Sequence, residues 1–322
     1  MRNAGLGLLA TIVMLGQAPA QQLSAENSVR LREFYRLAAQ IQDTIWPGWS
    51  GVPAPLLLVT EKQEFLTHHT SPPKGFAKIN EDLYARPRQF PTDFLATFPA
   101  FGPPDVIVVG EAEHTSAKTS TPWLITVMHE HFHQLQDAQP HAFEDVMKLG
   151  LSHGDQTGMW MLNYPFPYGN AHLVEGFAHL RELLLDAIAE SDAAKFAVAT
   201  RNYVTARKIF MGQIAVDDRK YIEFQLWKEG IARYSQVKSA EAAANYQPTA
   251  QYALLPDYET FAHYAAHARQ DTLDELRRAD MSSWKRQVVY SWGAAEGFLL
   301  DRVKPDWRDS YFDQPFSLDS YF

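Results

Sequence analysis

Between Trp123 and Leu135 the chain is apolar on most positions, through Trp123, Leu124, Val127, Met128, Phe132 and Leu135, yet its centre reads His129-Glu130-His131-Phe132-His133. A segment of this kind is expected to be a buried helix. Residues four apart on an α-helix lie about 40° apart around the axis. His129 and His133 therefore share one face, where two imidazoles can grip one metal ion. Glu130 follows the first histidine and can reach a water on that ion. The pattern H-E-x-x-H is the two-ligand core of a zinc hydrolase helix. With 12 His and 18 Glu in 322 residues, roughly 0.02 accidental matches are expected, so chance is a weak explanation. Thr121 is read as the N-cap, Pro122 as the first helical residue, and Pro140 as the stop, giving a helix over 121–137. His131 falls about 160–200° away from the metal face and is read as a packed, hydrogen-bonded histidine.

The first twenty residues read as a secretory leader. Arg2 is the charged start, Ala4 to Gly16 is apolar, and Ala18-Pro19-Ala20 is a small-residue cleavage site. The apolar run is too short to span a bilayer. The chain has no cysteine, so it has no disulfides and no thiolate ligands, which suits a bacterial periplasm or medium. A net charge of −9 with a pI of about 5.7, and no run of Lys or Arg, argue against nucleic acid and anionic membranes as partners. The expectation is a periplasmic or secreted protein with no membrane insertion once the leader is removed.

An α+β, predominantly helical fold is expected, with a small sheet in the N-terminal third and a helical remainder. A helix is placed at 27–44. Strands are placed at 52–59, 65–67 and 105–110. Helices follow at 121–137, 171–190, 194–212, 218–245, 257–267, 270–279 and 283–302, and the Gly-, Pro- and aromatic-rich stretch 150–170 is a long loop. The division is 1–20 leader, 21–120 mixed α/β, and 121–322 helical metal-site part, the last two forming one unit.

A zinc site of this type needs a third protein ligand and an open position. Glu229, in Trp227-Lys228-Glu229-Gly230-Ile231-Ala232-Arg233-Tyr234, and Glu175, in Leu173-Val174-Glu175-Gly176-Phe177-Ala178-His179, compete for that role. Glycine costs a helix about 1 kcal/mol relative to alanine, so each Glu-Gly pair suggests a second backbone packed close by. His172, Glu175 and His179 share one helical face that could line the metal cleft or form another site. His263 and His267 are also one turn apart, without an acid suited to catalysis beside them.

H-E-x-x-H followed by W-x-E-G-x-A-x-Y resembles the gluzincin metallopeptidases, in which the Glu of the E-G-x-A helix is the third zinc ligand. Carried over, the metal ligands are His129, His133 and Glu229, with Zn2+ as cofactor and Glu130 as general base. The resemblance implies a zincin-like fold and a peptide or protein substrate. Ninety-five residues separate His133 from Glu229, more than many gluzincins have. Helices 171–212 would then be an insertion; otherwise Glu175, after 41 intervening residues, is the ligand. The stretch 288–301 is similar to a Tyr/Gly-containing helix in related exported proteins, and Tyr290 is chosen as the donor to a tetrahedral oxyanion. Tyr234, about 140° round from Glu229, is expected to face elsewhere. The strand at 105–110 is read as the edge along which an extended peptide lies, and the loop 160–168 as a wall of the cleft. The competing reading is a non-catalytic or di-metal helical metal-binding protein, since Glu130-x-x-His133 is also the E-x-x-H of di-iron bundles; no second E-x-x-H is present, because Glu175 and His179 are spaced i, i+4.

Overall fold

The Ser24 hydroxyl accepts from the Asn27 amide at 3.1 Å and so caps α1 (Ala25–Ile45). The structure, a computed structural model, describes residues 22–322; the leader read at 1–20 lies outside the described residues. After α1 come β1 (Leu56–Val59), β2 (Gln63–Thr67), β3 (Ala77–Lys78), β4 (Leu83–Pro87), β5 (Leu95–Phe98) and β6 (Val106–Gly110). The helical part opens with α2 (Ser120–Asp137) and the short α3 (Ala142–Lys148) and α4 (Trp160–Asn163). It continues with α5 (Ala171–Ala189), α6 (Ala193–Gln213) and α7 (Val216–Gln225). A π-helical turn (Leu226–Gly230) leads into α8 (Ile231–Ala242). The short α9 (Ala250–Ala253), α10 (Phe261–Arg278), the short α11 (Met281–Trp284) and α12 (Val288–Val303) complete the order. Helix accounts for 59% of the described residues and strand for 8%, so the chain is a helical α+β protein with one small mixed sheet near its N-terminal end. Among the described residues no helix is long and apolar enough to cross a membrane.

The sheet order is β3-β4-β2-β1-β6-β5, with β1 and β6 parallel and every other pair antiparallel. Side chains alternate between its faces. Leu58, Phe65, Ile107 and Val109 face the main helical core. Leu57, Val59, Leu66, Val106 and Val108 face a separate cluster closed by Phe76, Phe90, Phe94, Phe98 and Phe101. The strand at 105–110 was expected at the sheet edge, but β6 is interior, paired on both sides; β5 is the edge strand beside it. Its Leu-Ala-Thr-Phe run is too short and too weakly alternating to be read as a strand without its partner. The expected strand from 52 starts only at Leu56, because Pro53 and Pro55 cannot donate to a ladder.

The helix at 218–245 is interrupted by the π-turn. The two helices expected at 257–267 and 270–279 are the single helix α10. Thr260 sets its start by accepting from the His263 amide at 3.2 Å, and the buried stripe Phe261, Ala268, Thr272 and Leu276 runs unbroken across the expected gap. Between α2 and α8 in the chain, α5 and α6 form a packed pair, and α5 leans on α12 through Phe177 and Trp292, rings 5.2 Å apart. The long loop at 150–170 is largely irregular, with only α4 inside it.

The π-turn and α12 cross at two glycines. A Cβ on Gly230 would meet the Gly293 Cα at 2.5 Å, and one on Gly293 would meet the Gly230 Cα at 2.6 Å. The glycine after Glu229 thus marks a true backbone-to-backbone approach, whereas a Cβ on Gly176 would meet only the Phe210 ring, at 2.7 Å. Gly230→Ala is expected to lower stability by about 1–3 kcal/mol, the usual cost of forcing a methyl group into a packed contact. Gly212→Ala, which meets nothing within 4 Å inside α6, should be neutral or stabilising by up to about 1 kcal/mol. Urea unfolding of the two variants side by side checks this; equal midpoints would contradict the crossing.

Candidate metal centre

The start of α2 is pinned by other elements. Arg30 of α1 donates to the Ser120 hydroxyl at 2.8 Å, and Ser120 donates to Asp257 at 2.7 Å. Thr121 is not the N-cap; that position is Thr119, without a side-chain cap bond. The Thr121 hydroxyl instead donates to the Glu259 carbonyl at 2.7 Å, and Pro122 is the third helical residue. So anchored, α2 runs through the core with both faces buried.

His131 lies on the far side of α2 from His129 and His133. Its Nδ1 donates to the Gln134 amide oxygen at 2.9 Å, its Nε2 is 3.0 Å from the Gln42 side-chain amide, and its ring stacks on Trp49. It is a core histidine, kept neutral by burial, which pushes its pKa down to about 4.

His129, His133 and Glu229 converge. The two Nε2 atoms are 3.2 Å apart, and Glu229 Oε2 is 3.3 Å from His133 Nε2 and 3.7 Å from His129 Nε2. With Zn–N and Zn–O bonds of about 2.0–2.2 Å, the edge of a tetrahedral site is about 3.3–3.5 Å. The three separations, 3.2, 3.3 and 3.7 Å, lie close to such an edge. Two imidazole nitrogens and a carboxylate oxygen held this close need a cation or shared protons between them. Glu229 stands well below the ordinary carboxylate range. Burial alone would raise it, and the charge of His133, hydrogen bonds from both histidines and the Arg286 guanidinium outweigh that. For His133, burial lowers the pKa, and the Glu229 carboxylate more than reverses it.

The surrounding contacts orient the three side chains. Gln136 Oε1 accepts from His133 Nδ1 at 2.7 Å, which leaves the Nε2 lone pair free for an ion, as outer partners of metal-binding histidines do. The Gln136 amide nitrogen donates to the carbonyls of Trp227 and Lys228, both at 3.2 Å, and to the Tyr311 hydroxyl at 2.8 Å. Tyr311 donates to the Trp227 carbonyl at 2.6 Å. One glutamine therefore ties a histidine of α2 to the turn that carries Glu229. That turn is π-helical, and such bulges commonly sit at functional sites because the wider turn re-aims a side chain. Arg286 donates to Glu229 Oε1 at 3.3 Å, occupying one carboxylate oxygen and leaving Oε2 to the histidines. His129 Nδ1 is buried and has no hydrogen-bond partner among the described residues.

Glu130 is 5% exposed. Its Oε2 accepts from the Thr97 hydroxyl of edge strand β5 at 2.9 Å. Tyr290 stacks against His129 with ring centroids 6.1 Å apart, and its hydroxyl accepts from Arg286 at 3.1 Å. Burial, reinforced by the Glu229 charge, raises the Tyr290 pKa far above its ordinary value, so the hydroxyl keeps its proton. Beside His133, burial and the neighbouring Asp137 carboxylate push Asp105 up to about 7, while Lys228 pairs with Asp137.

Glu175 is not part of the cluster. It is exposed on α5, as are His172 and His179, and with His172 it lines a surface depression near Asp218. Tyr234 faces away from the centre, donating to Asp301 at 2.7 Å. The loop at 160–168 braces α7: Trp160 stacks on Phe224, and the Met161 carbonyl accepts from Tyr221 at 2.9 Å and Gln225 at 2.8 Å. Thr97, Gln136 and Arg286 were not found from sequence, because each matters through a partner distant along the chain. The chain matches no family model, no curated protein and no solved structure.

Two outcomes are expected. Glu229→Ala should lose most bound zinc, whereas Glu175→Ala should keep it; zinc content after dialysis decides, and the reverse pattern would move the ligand role to Glu175. For His131, the folded pKa of about 4 lies below the unfolded value of about 6.5. The unfolded chain binds more protons between these values. This contribution is therefore complete above pH 6.5 and is lost as pH falls towards 4, by on the order of 3 kcal/mol. His131→Gln should flatten that part of the stability slope in denaturant titrations between pH 7 and 4.5; parallel slopes would contradict a buried neutral imidazole.

Proposed function

We propose that the chain is an exported, periplasmic or secreted zinc-dependent hydrolase of gluzincin-like, zincin-type architecture, acting on peptide or protein substrates. The observation that carries the reading is the meeting of His129, His133 and Glu229 at tetrahedral-edge spacing, with Glu130 beside them and outside the ligand set. A zinc ion held there would polarise a carbonyl and bring a water's pKa down to about 7.

The chain's own groups divide the remaining work. Glu130 accepts the proton of the attacking water and returns it to the leaving amine, as a positioned general acid–base does. Thr97 holds one oxygen of that carboxylate and leaves the other for the proton. Tyr290, protonated and stacked on His129, is the donor for the oxyanion. Arg286 steadies both Glu229 and Tyr290. Strand β5 has one unpaired edge, and through Thr97 that edge lies beside Glu130. An extended peptide added there would run past the general base.

The di-metal reading gains less support. A carboxylate-bridged pair needs a second E-x-x-H set facing the first, and Glu175 and His179 are exposed on α5. A non-catalytic binder would share the same ligands, and the general base separates the two.

Glu130→Gln keeps shape and hydrogen bonding but removes basicity. Zinc content and melting temperature should stay near those of the unaltered protein, while peptide hydrolysis falls roughly 10²–10⁴-fold. Full activity of the variant, or loss of its zinc, would remove Glu130 from that role. Failure of the unaltered, zinc-loaded protein to cut any of a peptide panel would favour the binding protein.

A further inference from the structure

A second histidine cluster lies on α10, apart from the centre on α2. Glu259, His263 and His267 follow one another at one-turn spacing, and each offers a nitrogen or oxygen within 4.8 Å of the others. His263 Nδ1 is hydrogen-bonded to Glu259 Oε2 at 3.0 Å, so an ion bound by the two would take the place of the proton they share. His267 Nδ1 is bonded to Asp271 Oδ2 at 2.6 Å. With the proton on Nδ1, the carboxylate fixes the tautomer and Nε2 keeps its lone pair, the arrangement found behind metal-binding imidazoles. The side chains of His263, His267 and Glu259 are 70%, 40% and 29% exposed. They can turn towards an ion without disturbing the core.

We propose that Glu259, His263 and His267 form a second, surface site for a borderline divalent transition ion such as Zn2+ or Ni2+, with Asp271 orienting His267. Two imidazoles and one carboxylate suit such ions better than Ca2+ or Mg2+, which prefer oxygen ligands throughout. Bound ion would staple the chain entering α10 to the first two turns of that helix. The Glu259 carbonyl also accepts from Thr121 at the start of α2. The staple would therefore stiffen the joint that anchors the helix carrying His129.

Zn2+ titration of metal-stripped protein by calorimetry tests this independently of the function proposed above. The unaltered chain should take two equivalents, and His263→Ala/His267→Ala only one. His129→Ala/His133→Ala should also take one, and its melting temperature should rise with added Zn2+, because a ligand that binds only the folded state stabilises it. Asp271→Asn should weaken the surface equivalent about tenfold while leaving the other unchanged. The proposal is overturned if His263→Ala/His267→Ala still takes as many equivalents as the unaltered chain. His263 is exposed and His267 half-buried, both outside the core, so that variant should fold normally. Should His129→Ala/His133→Ala fail to fold, Glu229→Ala serves in its place. A single equivalent abolished by His263→Ala/His267→Ala would uphold the surface site and count against the central one.

Discussion

The contact between the backbones at Gly230 and Gly293 sets where Glu229 can be. At this crossing no Cβ fits on either helix, so the π-turn and α12 lie as close as two helices can. The turn then presents Glu229 to α2 on one side. On the other, Arg286 and Tyr290, just before Gly293 in the chain, reach the same carboxylate and His129. A side chain at either glycine would push apart Glu229 and the two residues that reach it and His129. The local sequence Glu-Gly is thus a geometric requirement of the centre, separate from any chemistry of the glycine.

The crossing is itself held by a buried ionic cluster further along α12. Arg207 of α6, 1% exposed, bonds Glu296 of α12 at 2.6 Å and Glu223 of α7 at 2.9 Å. Tyr203 donates to the same Glu296 carboxylate, and Ser317 and the Leu318 amide of the C-terminal segment bond Glu223. Such a cluster adds little net stability over an apolar core, but losing one member is costly, because the others are left charged and buried. Its value here is positional. It locks α6, α7 and α12 into one register, and α7 runs directly into the π-turn. The centre is therefore braced by Gln136 and Tyr311 on one side and by this network on the other.

How much of this was legible in the sequence depended on the range of the signal. The motif helix, α1, α5, α6 and α12 announced themselves through apolar periodicity and caps within a few residues of their observed ends. Strands β3, β4 and β5 did not, because short strands with mixed exposure gain their identity from partners. The π-turn was invisible, since Leu226 to Gly230 reads as ordinary helix until α12 packs on it. His129 and His133 could be paired from a four-residue spacing. Thr97, Gln136 and Arg286 could not, because their roles depend on contacts 33, 91 and 57 residues away. The expected β6 edge failed for the same reason: β5, which covers it, carries little strand signal of its own.

By distance along the chain, the 95 residues between His133 and Glu229 favour Glu175, and the fold shows why that distance is a poor guide. Closing a longer loop costs only about 0.6 kcal/mol for each doubling of its length. That penalty applies to flexible chain, and most of this interval is not flexible. Helices α5 and α6 pack on each other, and α5 buries Phe177 against Trp292 of α12. Arg207 of α6 anchors the pair to Glu223 and Glu296. The intervening segment thus brings its own buried surface and delivers α7 to a fixed position. Glu175, closer in sequence, sits on the solvent face of that segment. Which glutamate meets the histidines is decided by which helix α12 clamps against α2, and the Gly230–Gly293 crossing makes that the helix of Glu229.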